Sequence, residues 1–319
     1  MAIYDLFNGD ADGICALAQL RNAQPEDTHL VTGVKRDIQL MDKIDPQAGD
    51  QINVLDISLD KNRAGLEKAL AVGAQVFYVD HHFAGDIPET PQLTTIINTA
   101  PDVCTSILIN HHLKGQCVEW AVTGAFGDNL KTSATALARP LGLSASELSS
   151  LENLGIYINY NGYGSNLADL HFTPEALYRE VSQHASPLGF IHDARESFEK
   201  LAVGYHSDMT AANELQPEFA NDSVAVFILP DEPWARRVSG VYSNDLANNT
   251  PSRAHAVLTI KANGNYLVSV RAPLDNKTGA DELCRQFPTG GGRAAAAGVN
   301  ELPSDQLQVF IDTFTAFYR

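Results

Sequence analysis

The chain has 319 residues, 44% of them hydrophobic, and 39 acidic against 22 basic side chains give it a formal net charge of −17. That length exceeds what a single core normally organises and predicts two domains, while no apolar run approaches the roughly 20 residues that cross a bilayer, so no membrane segment is expected. The acidity excludes a broad electrostatic grip on long duplex DNA, where affinity comes from phosphate neutralisation by Lys and Arg.

The charge leans toward the first 200 residues, with 13 basic and 26 acidic side chains against 9 and 13 in the remainder. Cys15, Cys104, Cys117 and Cys284 show no C-x-x-C spacing and read as buried small hydrophobes, not as zinc ligands or bridges. The first residues enter a strand-like segment without a basic region and an apolar leader, and a cytoplasmic protein is expected.

In chain order, residues 3–7 read as a strand that runs into Asn8-Gly9-Asp10-Ala11-Asp12-Gly13. Gly13 is expected to turn the backbone into a helix over 14–21, leaving Asp10 and Asp12 on the connecting loop, as ligands or, for one of them, as a helix cap. Residues 30–34 are strand-like, 52–55 form a strand ending on Asp56, and 61–71 carry apolar residues at helical spacing. Residues 76–79 are a β-branched and aromatic run closed by Asp80-His81-His82. The alternation predicts an α/β fold with a mostly parallel sheet covered by helices on both faces. In such sheets ligands collect at the carboxyl ends of the strands. Residues 120–126 are read as a further apolar segment ending on a carboxylate, Asp128, so that four Asp and two His meet at one sheet edge.

His111-His112 follows a helix-like segment over 104–110, and no strand delivers it to that edge, so a structural role is expected. Residues 131–205 look helical and loop-rich, with turn signals at 159–164 (Asn-Tyr-Asn-Gly-Tyr-Gly) and 187–189. The first of these is either an ordinary loop or an aromatic loop suited to base stacking. The domains are expected at 1–187 and 222–319, joined by a helical connection over 188–221. The second is a smaller α/β domain with strands at 223–229, 254–260 and 266–271, the last two a hairpin about an Asn-Gly-Asn turn, and a closing helix at 304–317. The loop Gly290-Gly291-Gly292-Arg293 lets backbone approach a phosphate, its N–H groups and the next helix end favour an anion, and Arg271 and Arg293 can grip phosphate bidentately.

Taken in order, the segments NGDADG (8–13), VLDIS (54–58), VDHH (79–82) and FGDN (126–129), the Ser269-Val270-Arg271 strand and the GGGRAAAAG loop (290–298) resemble the DHH phosphoesterases across nearly the whole chain. That family includes RecJ-type exonucleases, phosphodiesterases of short oligonucleotides and cyclic dinucleotides, and family II pyrophosphatases. The resemblance implies a catalytic domain and a DHH-associated substrate domain. It implies that Asp56 bridges two metal ions, with Asp10, His81 and Asp128 completing one site and Asn8 and Asp12 serving the other. Asp80 would orient a ligand imidazole, and His82 would meet the scissile phosphate. Ser269, Arg271, Gly290, Gly291, Gly292 and Arg293 would bind substrate. The chain departs from the pattern at Asn8, where the family has His or Asp, and at Arg293, where it has His.

Carboxylates and imidazoles without thiolate suit manganese, with magnesium as the alternative, better than a structural zinc. The expected function is therefore manganese-dependent hydrolysis of a small phosphorylated substrate: a short oligonucleotide, a linear or cyclic dinucleotide, or a nucleoside bisphosphate. One alternative is a RecJ-like single-strand exonuclease, which needs a longer basic track. The other is a nucleotide- or nucleic-acid-binding protein whose site has degenerated at Asn8. The expected partners are this substrate and, at most, a second copy of the chain.

Overall fold

A computed structural model describes residues 1–319, and the chain divides into two compact units, Met1–Ala202 and Val203–Arg319. In the N-terminal unit the five strands β1 (Ile3–Phe7), β2 (His29–Val31), β3 (Gln51–Leu55), β4 (Gln75–Asp80) and β5 (Leu93–Ile97) form one parallel sheet in the order β2-β1-β3-β4-β5. Helix α1 (Ala11–Ala23) follows β1 and α2 (Arg63–Val72) follows β3. Leu66 and Ala69 of α2 pack with Leu6, Val54 and Tyr78 on one face of the sheet. On the opposite face, buried Asp5 of β1 is held by Arg21 of α1 in a two-pronged ion pair. Phe77 of β4 meets His112 of α3 (Thr105–His112) on that same side, with ring centroids 5.0 Å apart. The expected α/β architecture with helices on both faces is what the chain adopts.

Strand order reverses at β1, from which the chain moves first to β2 and then back past β1 to β3. The loops leaving β1 and β3 therefore diverge to opposite faces and open a crevice at the carboxyl edge, the usual ligand position in a sheet of this order.

Four local expectations are corrected. Residues 120–126 lie in a helix, α4 (Val118–Gly127), not in a strand. A short apolar run does not distinguish a buried strand from a buried helix by periodicity, and α4 is buried on nearly all sides. Its glycines make that packing tight: a Cβ on Gly124 would stand 2.3 Å from Ser106 Oγ, and one on Gly127 would stand 2.3 Å from Ala11 Cβ. Helix α1 starts at Ala11, so Asp10 is its N-cap and Asp12 lies in its first turn instead of on the loop. After α5 (Lys131–Ala138), the 18-residue α6 (Ala145–Gly162) absorbs most of the turn expected at 159–164. Its C-terminal residues are buried, and Asn161 bonds the backbone of His171 and Phe172, which offsets the weak helix propensity of Asn and Gly. Finally, Pro187 opens α8 (Pro187–Asp193), after α7 (Pro174–Val181), as the N1 residue behind the Ser186 cap.

The division between the units falls within α9 (Arg195–Asn213). The C-terminal unit is a six-stranded mixed sheet, ordered β10-β11-β9-β8-β7-β6. Its strands are β6 (Phe219–Ala220), β7 (Val224–Leu229), β8 (Ala254–Ile260), β9 (Tyr266–Arg271), β10 (Gly290–Arg293) and β11 (Ala296–Leu302). Only β7 and β8 are parallel, and α10 (Pro233–Asn249) makes their crossover. The β8–β9 hairpin turns through Gly264 at φ 81°. Helices α11 (Ala280–Cys284) and α12 (Leu307–Phe317) cover the core face, where Leu283, Phe310 and Phe314 pack on Val226, Leu258 and Val270. The glycine run is a fifth correction: it is strand β10, paired antiparallel with β11, and no helix follows it directly. No helix of the chain is long and apolar enough to cross a membrane.

Candidate metal centre

Asp56 immediately follows β3 with its backbone in the left-handed region, φ 62°. Asp tolerates this conformation better than most residues, and its N–H is fixed by donation to the Val79 carbonyl of β4 at 3.0 Å. The Thr105 hydroxyl donates to Asp56 Oδ1 at 3.2 Å. The same oxygen lies 3.5 Å from His81 Nε2 and 4.0 Å from His82 Nδ1, and the three side chains offer ligand atoms all within 4.8 Å of one another.

His81 Nδ1–H donates to the Val103 carbonyl at 2.9 Å. A carbonyl only accepts, so this contact fixes the tautomer and leaves the Nε2 lone pair facing Asp56 and, at 3.9 Å, Asp128 Oδ2. His82 Nδ1–H donates to Asp80 Oδ1 at 2.8 Å, while Asp80 Oδ2 is buried and bonded to nothing. Asp128 reaches the cluster from the C-terminus of α4, not from a strand.

The DADG acids divide in role. Asp10 Oδ1 accepts the Gly13 N–H as the α1 cap, and Oδ2 accepts from Lys35 Nζ at 2.5 Å. Asp12 turns the other way: its two oxygens accept the Thr105 N–H, the Ser106 N–H and the Ser106 hydroxyl at 2.5–2.7 Å. It caps α3, whose own N-cap residue, Cys104, provides no side-chain bond. Asn8 continues β1 beside Asp56, as the Phe7–Leu55 register requires, and its Oδ1 is buried without a partner.

Burial, and then the charges of Asp12, Asp10, Asp80 and Asp128, push the Asp56 carboxyl well above the usual carboxylate range. Burial also raises Asp128, although His81 opposes the shift. Asp10 is buried too, but the Lys35 ammonium overrides that effect and holds it low. A group of buried acids facing an imidazole lone pair, with orphaned oxygens on Asn8 and Asp80 and one ammonium for compensation, is the donor set a divalent cation satisfies.

Lys35, Thr105 and Asn159 escaped the reading of the sequence. Their only local signal is slight: Lys35 lies in the loop after a strand at the edge where the sheet order reverses. Tyr160, in the segment considered for base stacking, is core and bonds His171, and the Tyr163 ring lies under Lys35 Nζ at 5.0 Å to its centroid.

In the C-terminal unit, Ser269 and Arg271 share one face of β9, and Arg271 donates to Ser269 Oγ at 2.9 Å and to Asn244 Oδ1 of α10 at 2.8 Å. Across the sheet His255, Arg271, Ala296 and Arg293 occupy one register row. Directly paired residues project from the same face, so Arg293, which is exposed, shares the face of Arg271. Gly290 is structural, since a Cβ there would stand 1.8 Å from the Cys284 carbonyl oxygen, whereas Gly291 faces open space.

No family model and no curated protein matches the chain. Solved structures do match in fold. An exonuclease RecJ bound to manganese superposes over 99% of this chain and 90% of its own, with a TM-score of 0.65 and 17% identity. RecJ from Thermus thermophilus in complex with Mn2+ covers 99% of this chain at a TM-score of 0.58 and 17% identity, but the match takes in only 52% of that longer chain. The pGpG-specific phosphodiesterase PggH from Vibrio cholerae is matched over 99% of this chain and 100% of its own, at a TM-score of 0.55 and 16% identity.

Proposed function

Because the chain carries the DHH phosphoesterase fold through both of its units, we propose that it is a manganese-dependent phosphoesterase hydrolysing a small phosphorylated substrate such as a short oligonucleotide, a linear or cyclic dinucleotide, or a nucleoside bisphosphate. The observation that carries this reading is the aim of His81: its Nδ1–H is committed to Val103, and its Nε2 lone pair is turned between Asp56 and Asp128. Asp56, His81 and Asp128 are the residues that would hold the ion, while Asp10, expected in the same site, is committed to the α1 cap and to Lys35. Bound there, manganese would supply a Lewis acid and lower the pKa of a coordinated water.

The protein's own groups do the rest. Asp80 holds the His82 ring by its Nδ1–H, which orients the outer imidazole toward a phosphoryl oxygen. Lys35 puts positive charge beside the acids, and Phe83, next after His82 and 73% exposed, offers a ring face to a base. Ser269, Arg271 and Arg293 are assigned to the non-reacting anionic end of the substrate, where guanidinium matches phosphate geometry. A charge of −17 favours a substrate of few phosphates, the size class named for PggH.

The test is product release from a panel of these compounds in manganese. Turnover concentrated on substrates of a few nucleotides is expected. A rate that keeps rising with strand length would favour the exonuclease reading, to which the RecJ likeness lends weight. No turnover on any substrate with manganese shown to be bound would leave a binding protein.

A further inference from the structure

Resting on the phosphoesterase reading, we infer that Lys35 occupies one of the two cation positions of the centre, so that the protein works with a single tightly held manganese and an ammonium in place of the second ion.

Lys35 is built in. Its ammonium donates to Asp10 Oδ2 at 2.5 Å and to Asn159 Oδ1 at 3.0 Å, and lies over the Tyr163 ring at 5.0 Å from the centroid. The side chain is only 22% exposed. Its backbone is fixed as well, since the Lys35 N–H donates to the Gly162 carbonyl at the end of α6, at 2.9 Å. The Lys35 loop lies against the Asp10 loop with no room between them: a Cβ on Gly9 would stand 2.0 Å from the Gly33 carbonyl oxygen. Three segments distant in sequence thus converge to hold one ammonium on one carboxylate oxygen.

The sequence change that accompanies this arrangement is at position 8. Asn8 offers a neutral amide oxygen, buried and unbonded, where a carboxylate would add the charge a second dication needs. A dication sharing Asp10 Oδ2 with the Lys35 ammonium would face direct repulsion. Asp12, the other acid of this loop, has both oxygens committed to α3. The donors left without a cation are Asp56, His81 and Asp128, enough for one ion. Lys35 then supplies a fixed positive charge that a phosphoryl oxygen can meet, as lysines do in other phosphate sites.

The full-length protein is loaded with manganese, dialysed and measured for metal content and by electron paramagnetic resonance. One ion per chain with the six-line spectrum of isolated manganese is expected. The double variant Asn8→Asp/Lys35→Ala should hold two ions and show an exchange-coupled spectrum. Lys35→Met, which keeps the aliphatic stem, should retain its single manganese with affinity within a few-fold of the parent and lose roughly 100-fold in kcat; thermal melting checks that it folds. Two equally tight, coupled ions in the unaltered protein, or a Lys35→Met variant with undiminished kcat, would overturn the inference while leaving the phosphoesterase reading standing. Absence of both tight manganese and hydrolysis in the unaltered protein would overturn both.

Discussion

The two units gather polar groups by different geometry. In the parallel sheet every strand ends at the same edge, so residues just beyond the strand ends converge whatever the alternation within the strands; Asn8, Asp56 and the Asp80-His81-His82 run meet in this way. In the mixed sheet all neighbouring strands but β7 and β8 are antiparallel and end at opposite edges, and groups gather on a face through cross-strand register, as Arg271 and Arg293 do through Ala296. The first arrangement buries its acids, while the second leaves Arg293 exposed. Metal chemistry and charge recognition are thus expected to separate cleanly by unit.

The strongest test of that separation is Asp56→Asn. Turnover should fall to background with manganese content sharply reduced, because the acid lies closest to the His81 lone pair. The metal-free variant should melt higher than the metal-free parent near neutral pH, since a charge repelled by Asp10, Asp12, Asp80 and Asp128 is gone. Next in size, Asp80→Asn should cost about 10–100-fold in kcat, the usual effect of losing a partner that orients a functional imidazole. Unchanged kinetics would remove His82 from the mechanism.

In the other unit, Arg271→Ala should raise KM about 10–100-fold, the equivalent of losing a charge-assisted pair worth about 1.5–3 kcal/mol. Its metal content and kcat should hold. The exposed Arg293→Ala should raise KM by less. Loss of manganese in either Arg variant would contradict the division of labour.

The smallest effect concerns pH. Asp56 and Asp128 have folded pKa values raised above the unfolded ones. The stability they contribute is therefore present at low pH and lost as pH rises through the folded value. Metal binding has the opposite sign, because the ligands must be carboxylates. The rise in Tm on adding manganese should accordingly be larger at about pH 8 than at about pH 5. In Asp56→Asn that difference should shrink, and a pH-independent rise in the parent would contradict the assignment of these acids to the metal.

The strand-end acids and imidazoles were legible in the sequence because each closes a run of β-branched or aromatic residues, and a parallel sheet needs no further instruction to bring such ends together. The Ser269-Val270-Arg271 strand and the β8–β9 hairpin were legible for a similar reason, through local alternation and an Asn-Gly turn. What only the tertiary structure decided lies in pairings between distant segments. Asp12 looked like a metal ligand, yet its oxygens are taken by Thr105 and Ser106, more than ninety residues away. Asp128 arrives on a helix whose apolar sequence is compatible with a strand, and packing against α1 and α6 settled the matter. Lys35 carries no motif at all. Its place at Asp10 depends on glycine contacts and on an asparagine at the end of a helix that begins more than a hundred residues later. Local sequence fixes which groups a strand or turn presents, whereas the partner that neutralises a buried charge is chosen by the fold, since only burial makes an unpaired charge costly enough to require one.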